Sequence, residues 1–134
     1  MASQVTIPVA FLDLYSMGGC YALALALAKV HGLRVGMVRG WSPGLSGSED
    51  WSQDIHAYAT DGRLVVDVFG AVSVDAFQSR WEGAAEHHDV ERITFDEGAD
   101  AAEACAMLVD ASELAEAEAF VREYGGLLLG LEGL

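Results

Sequence analysis

Ile55-His56-Ala57-Tyr58-Ala59-Thr60-Asp61-Gly62-Arg63-Leu64-Val65-Val66-Asp67-Val68 holds two alternating runs around a turn signal. Asp-Gly between such runs is among the strongest hairpin signals, because both central positions of the favoured turn need φ > 0. A two-residue turn sets Thr60 opposite Arg63 and, further along the ladder, His56 opposite Asp67. Directly opposed side chains on one face have Cβ atoms about 4.5–5.5 Å apart, close enough for a carboxylate to hold an imidazole. The alternation agrees with this register. Ile55, Ala57, Ala59, Leu64, Val66 and Val68 form an apolar face, expected to be core. His56, Tyr58, Thr60, Arg63, Val65 and Asp67 form the other face, expected to be accessible. A one-residue slip would exchange the two faces and bury the His and Asp.

Upstream, Cys20 follows Gly18-Gly19 and opens an Ala- and Leu-rich helix expected over 19–31, with Gly32 as its stop. A helix N-terminus and a neighbouring imidazolium both favour a thiolate, the reactive form of cysteine. Cys20 is therefore the candidate nucleophile, His56 its base and Asp67 the group that orients His56. Gly19 leaves room for a substrate backbone beside the sulfur. Trp41 and Trp51 flank a loop over Gly40–Asp54 and are candidate rim residues; Tyr58 shares the His56 face and is a weaker candidate for substrate contact.

Working outward, residues 5–12 read as a short strand or an extended lead-in, with Pro8 arguing against a central strand. Leu33–Val38 and Glu91–Phe95 read as strands. Ser73 caps a helix expected over 74–82. Helices are expected over 99–109 and 112–124, the second capped by Ser112 and stopped by Gly125-Gly126, followed by an apolar tail to Leu134. The expected architecture is α+β: a nucleophile-bearing helix on a small antiparallel sheet of about four strands, with C-terminal helices. The whole of 1–134 reads as one domain, its core over about 5–96 and a helical segment over about 97–134.

Composition narrows the function classes. The chain has 134 residues, 52% of them hydrophobic, and a net charge of −14. With Lys29 as its single lysine beside six arginines, it is poorly suited to a phosphate backbone, so no direct nucleic-acid binding is expected. No run of about 18 apolar residues suggests a membrane span. No signal-peptide pattern opens the chain, and a bacterial or phage-infected cytoplasm is the expected location. Two cysteines do not make a secreted disulfide framework. No Cys-x-x-Cys or His-Glu-x-x-His spacing is present, so neither a metal nor another cofactor is expected. Cys105 reads as a core residue, His31 as a group at a helix C-terminus and His87-His88 as solvent-exposed.

The stretch from His56 to Gly70 resembles the His strand, turn and Asp strand of the papain-like superfamily, in its transglutaminase-core and arylamine N-acetyltransferase branch. Gly19-Cys20-Tyr21-Ala22-Leu23-Ala24 resembles that branch's nucleophile helix. The likeness covers roughly residues 15–70. It implies a papain-like fold and acyl transfer or amide hydrolysis through a thioester, on a peptide, amide or thioester substrate. The chain departs from papain in having no Gln or Asn in Phe11–Gly19, which leaves Ser16 or a backbone N–H as the second oxyanion donor. A second reading stays open: an inactive protein of the same fold whose acidic surface, dense over 82–123, binds a basic or nucleic-acid-binding partner.

Overall fold

The computed structural model describes residues 7–16, 18–42, 51–84 and 90–130. Among the described residues, five helices surround a five-stranded antiparallel sheet, an α+β architecture with the Cys20 helix near the N-terminus. Helix α1 spans Val9–Ser16 and α2 Cys20–His31; strands β1 (Arg34–Ser42), β2 (Trp51–Thr60), β3 (Leu64–Asp67) and β4 (Gly70–Ser73) follow. Helix α3 (Val74–Gly83), β5 (Arg92–Glu97), α4 (Ala99–Met107) and α5 (Ala111–Leu128) complete the order. The strands lie in the order β4-β3-β2-β1-β5. No single helix among the described residues is long and apolar enough to cross a membrane.

Both faces of the sheet are covered. On one, Leu23, Ala26 and Leu27 of α2 meet Ala59, Val66 and Val68 of the sheet side and Phe120 and Val121 of α5. Cys20 and Ala24 continue this layer against Val35, Met37 and Ala57, with Ala101 and Cys105 of α4. On the other, Phe77 of α3 packs with Val38, Tyr58 and Val65, flanked by Trp81, Ile93 and Phe95. The second face of the hairpin is therefore core rather than accessible: Tyr58 is 1% exposed and Thr60 and Val65 are equally enclosed. The correction follows from α3, whose Phe77 and Trp81, four residues apart, present one apolar stripe to the sheet.

The sequence expectation for the hairpin register is off by two residues. Ala59 pairs with Val66 and Thr60 with Val65, so the turn holds Asp61 to Leu64. The cause is the Asp61 side chain. Its Oδ1 accepts the N–H of Arg63 and of Leu64, both at 2.8 Å, and this local ring lengthens the turn. Those backbone bonds hold the exposed Asp61 carboxyl below its ordinary pKa. A shift of two preserves the face of every side chain, so His56 and Asp67 still look the same way.

Helix boundaries follow local chemistry with three corrections. Gly32 caps α2 at φ 68, and Ser73 caps α3 by accepting the Ala76 N–H. Residues 9–12 are helical, part of α1, with Pro8 just before the first turn rather than in a strand. The cap of α5 is Asp110, in a reciprocal box with Glu113, not Ser112. Gly125-Gly126 lies inside α5 rather than stopping it, and glycine is required at 125 because a Cβ there would sit 2.6 Å from His31 Nε2, where α2 and α5 meet. His31 is in the last turn of α2, as expected. A fifth strand, β4, adds to the four expected. Most of the Gly40–Asp54 segment outside 43–50 is strand, and 43–50, His87-His88 and the end of the tail lie outside the described residues.

Gly36 stands opposite Tyr58, whose ring lies directly over it: a Cβ there would fall 2.2 Å from the ring carbons. The ring is boxed by Phe77 and tethered by its hydroxyl, which donates to Glu97 Oε2 at 3.0 Å. Gly36→Ala should therefore destabilise by about 2–3 kcal/mol. Tyr58→Phe, which loses one hydrogen bond and no volume, should cost about 1 kcal/mol. Urea unfolding of both variants checks the order; equal losses would mean that the ring is free to move aside.

Candidate active site

Strands β2 and β3 pair only at two positions before they separate. Beyond Thr60–Ala59, β2 continues along β1 while β3 turns into β4 through Val68-Phe69, with Asp67 paired to Gly70. The opening between them exposes His56 to groups from both layers. A β-bulge contributes to its aim: Val38 pairs with His56 and Arg39 with Asp54, which leaves Ile55 as the extra residue.

The three residues expected to act together are brought together. His56 Nε2 lies 3.0 Å from Asp67 Oδ2, and both residues are buried, at 3% and 4% exposure. Cys20, at the start of α2, lies close enough to the same imidazole to act on its protonation. With Nε2 held by Asp67, Nδ1 is the nitrogen left for the thiol. The pair His56–Asp67 is a diagonal one across the splayed strands rather than directly opposed, and it closes because both side chains lean into the opening. Asp67 is pinned in turn: its Oδ1 accepts the Phe69 N–H at 2.9 Å.

Burial alone pulls the His56 pKa down. The Asp67 hydrogen bond, then Cys20 and the Asp67 charge, outweigh it and raise His56 from 6.5 to about 9. Cys105 shares the core cluster of Cys20, but burial, followed by the charges of Cys20 and Asp54, pushes its thiol up to about 12. Cys105 is thus the structural cysteine of the two, as its helix setting predicts.

Above the pair lies a cleft of about 780 Å³, walled by Ser16, Gly18 and Tyr21 on one side and Phe69, Arg80 and Trp81 on the other. Gln53, Asp54 and Ile55 of the bulged strand form its back. Cys20, 2% exposed, does not itself line the cleft, although its neighbours Gly18 and Tyr21 do. Gly19 is the N-cap position of α2, and its N–H donates to Leu14 O. A Cβ there would meet that oxygen at 2.6 Å, so glycine lets α1 turn sharply into the Cys20 helix. The Ser16 hydroxyl donates to Asp13 O, within its own helix.

Two of the expected substrate contacts belong elsewhere. Tyr58 is sealed under α3, as described. Trp41 fastens β1 to β5: its Nε1 donates to Thr94 Oγ1 at 2.7 Å and the Arg92 guanidinium stands 4.7 Å over its ring. Trp51 falls in β2, and its side chain lies outside the described residues. Arg80 and Trp81 take their place, and neither was expected from sequence. The Trp81 ring stacks on His56 with centroids 5.2 Å apart, and Arg80 Nη2 approaches Asp67 Oδ2 at 3.5 Å. The spacing of Phe77 and Trp81 was the available signal.

Compared with protein-family models, with curated proteins and with solved structures, the chain finds no match in any of the three.

Because the folded chain holds the His56 proton more tightly than the unfolded one, the stabilisation is complete below pH 6.5 and is lost as pH rises through about 9. The stability gap between the wild-type chain and Asp67→Asn should therefore be widest near pH 6 and narrow towards about pH 10. Urea unfolding across that range measures it. A gap that stays constant would show that Asp67 does not hold the proton on His56.

Proposed function

We propose that the chain is a papain-like cysteine enzyme that cleaves or transfers acyl groups through a thioester on Cys20. The observation that carries this reading is the buried His56 imidazole, held by Asp67 at 3.0 Å and bordering a cleft, with Cys20 close enough to act on its protonation. Nothing in the packing of the core requires a buried imidazole at this point. A well-packed apolar residue in place of a buried charged pair is often neutral or stabilising. The resemblance of Gly19–Ala24 and His56–Gly70 to the transglutaminase-core branch points the same way.

In the proposed reaction His56 takes the Cys20 thiol proton, the sulfur attacks an amide or thioester carbonyl, and the S–C bond forms as the C=O π pair moves onto oxygen to give an oxyanion. The N–H groups in the first turn of α2 have no partner within the helix and face the developing charge. The oxyanion collapses and the bond to the leaving group breaks, with His56 delivering its proton to the departing amine or thiol. Water or an amine then attacks the thioester. His56 takes its proton, the S–C bond breaks and the acyl product leaves. Asp67 keeps the imidazole in one orientation through both halves. Two free cysteines suit a reducing compartment, and we place the protein in a bacterial or phage-infected cytoplasm.

p-Nitrophenyl acetate tests the chemistry without knowledge of the natural substrate. It should acetylate Cys20 with release of one p-nitrophenolate per chain, located by mass spectrometry. Cys20→Ala should abolish the burst, Cys105→Ala should retain it, and His56→Ala should slow it by about 10²-fold. A full burst in Cys20→Ala would sink the proposal.

A further inference from the structure

The cleft has one cation at its rim. Arg80, in the last turn of α3, is half-exposed, and among the described residues its only carboxylate contact is a single long approach of 3.5 Å to Asp67 Oδ2. That oxygen already accepts His56 Nε2 at 3.0 Å, so the carboxylate charge is engaged before Arg80 reaches it. The guanidinium lies 5.4 Å over the Phe77 ring and carries five N–H donors, more than one long approach to a carboxylate uses. Beside it stand Phe69, 62% exposed although large and apolar, and Trp81. Arg39, which reaches the cleft residue Asp54, is committed to Asp54 and Asp96 at 3.1 Å each.

A net charge of −14 disfavours anions at long range, yet charges more than about 8 Å away are largely screened at physiological ionic strength. A fork-shaped donor at contact distance is not. We propose that Arg80 anchors a carboxylate of the acyl substrate, held between Phe69 and Trp81 while the carbonyl sits over Cys20. The inference deepens the thioester reading and rests on it for what the carboxylate is attached to. The carboxylate comes either from an acidic side chain or from a chain terminus; the chemistry of recognition is shared.

Iodoacetate and iodoacetamide attack the same sulfur, so the ratio of their rates cancels the reactive fraction of Cys20 and reports the charge at the cleft. Arg80→Gln should lower the iodoacetate-to-iodoacetamide ratio about threefold or more, and Arg80→Lys should keep it near the wild-type value. Arg122→Gln makes the same change in net charge on the exposed face of α5 and should leave the ratio unchanged. An unmoved ratio in Arg80→Gln, or an equal fall in Arg122→Gln, overturns the proposal while leaving a reactive Cys20 intact.

Binding is read separately from the Trp81 indole N–H shift, which does not depend on Cys20 reactivity. N-acetylglutamine carries only a terminal carboxylate, and the α-amide of N-acetylglutamate only a side-chain one. Whichever gives the saturable shift, lost in Arg80→Gln, assigns the source. An equal shift with the neutral N-acetylglutaminamide overturns the anchor. Carboxylate binding together with an inert Cys20 would support Arg80 and overturn the thioester reading alone.

Discussion

An imidazole and a carboxylate sealed from water need each other, and the placement of the surrounding elements follows from satisfying both. Removing one partner of such a buried pair typically costs about 3–5 kcal/mol, because the survivor is left uncompensated. Both carboxylate oxygens of Asp67 are accordingly engaged: one by His56, with Arg80 at longer range, the other by the Phe69 N–H. The tight β3–β4 connection exists at the point where that N–H can be delivered. The early end of the β2–β3 ladder gives the two side chains a gap to meet in, and the same gap lets the start of α2 reach them from the opposite layer. Trp81 then closes the second side of the ring.

The layers divide the work. Helix α2, supported by α4 and α5, brings the thiol, and α3 brings the aromatic and cationic wall. The sheet between them carries the imidazole and carboxylate on its central strands. Cleft groups from separate layers share no helix or strand with one another, so the distance between thiol and cleft wall is set by the thickness of the sheet and its side chains. Gly36 under Tyr58 and Gly125 under His31 each thin one of these packing interfaces by the width of a side chain.

How much of this was readable in advance depended on the range of the interaction involved. Helix α2 with Gly32, the Ser73 cap of α3 and the antiparallel strands are local patterns, and the α+β class follows from their order. The meeting of His56 with Asp67 was also legible, although through a turn two residues shorter than the real one; side-chain parity survives an even shift, which is why the conclusion outlived its geometry. Asp61 lengthened the turn through its own carboxylate, a competition that the Asp-Gly signal does not reveal. Residues 5–12 were misread because a short apolar run fits strand and helix alike, and Pro8 suits the start of either reading. Trp41 and Tyr58 were placed near the site by closeness in sequence, but strand pairing set Trp41 against β5, half-buried, and the arrival of α3 sealed Tyr58 into the core. Arg80 and Trp81 were invisible for the converse reason: they approach from a helix whose docking is a tertiary event.

The bulge at Ile55 has an evolutionary consequence. Because one residue is present in excess, His56 and Asp54, two positions apart in sequence, stand opposite neighbouring residues of β1 and so face opposite sides of the sheet. Loss of Ile55 would return the strand to strict alternation with every remaining pairing to β1, and so the face of every remaining side chain, unchanged. The back wall of the cleft would lose one side chain and the local twist that the bulge adds, while the imidazole and carboxylate stayed in place. Length variation in one strand thus offers descendants of this fold a way to reshape the wall of the cleft independently of the groups beneath it.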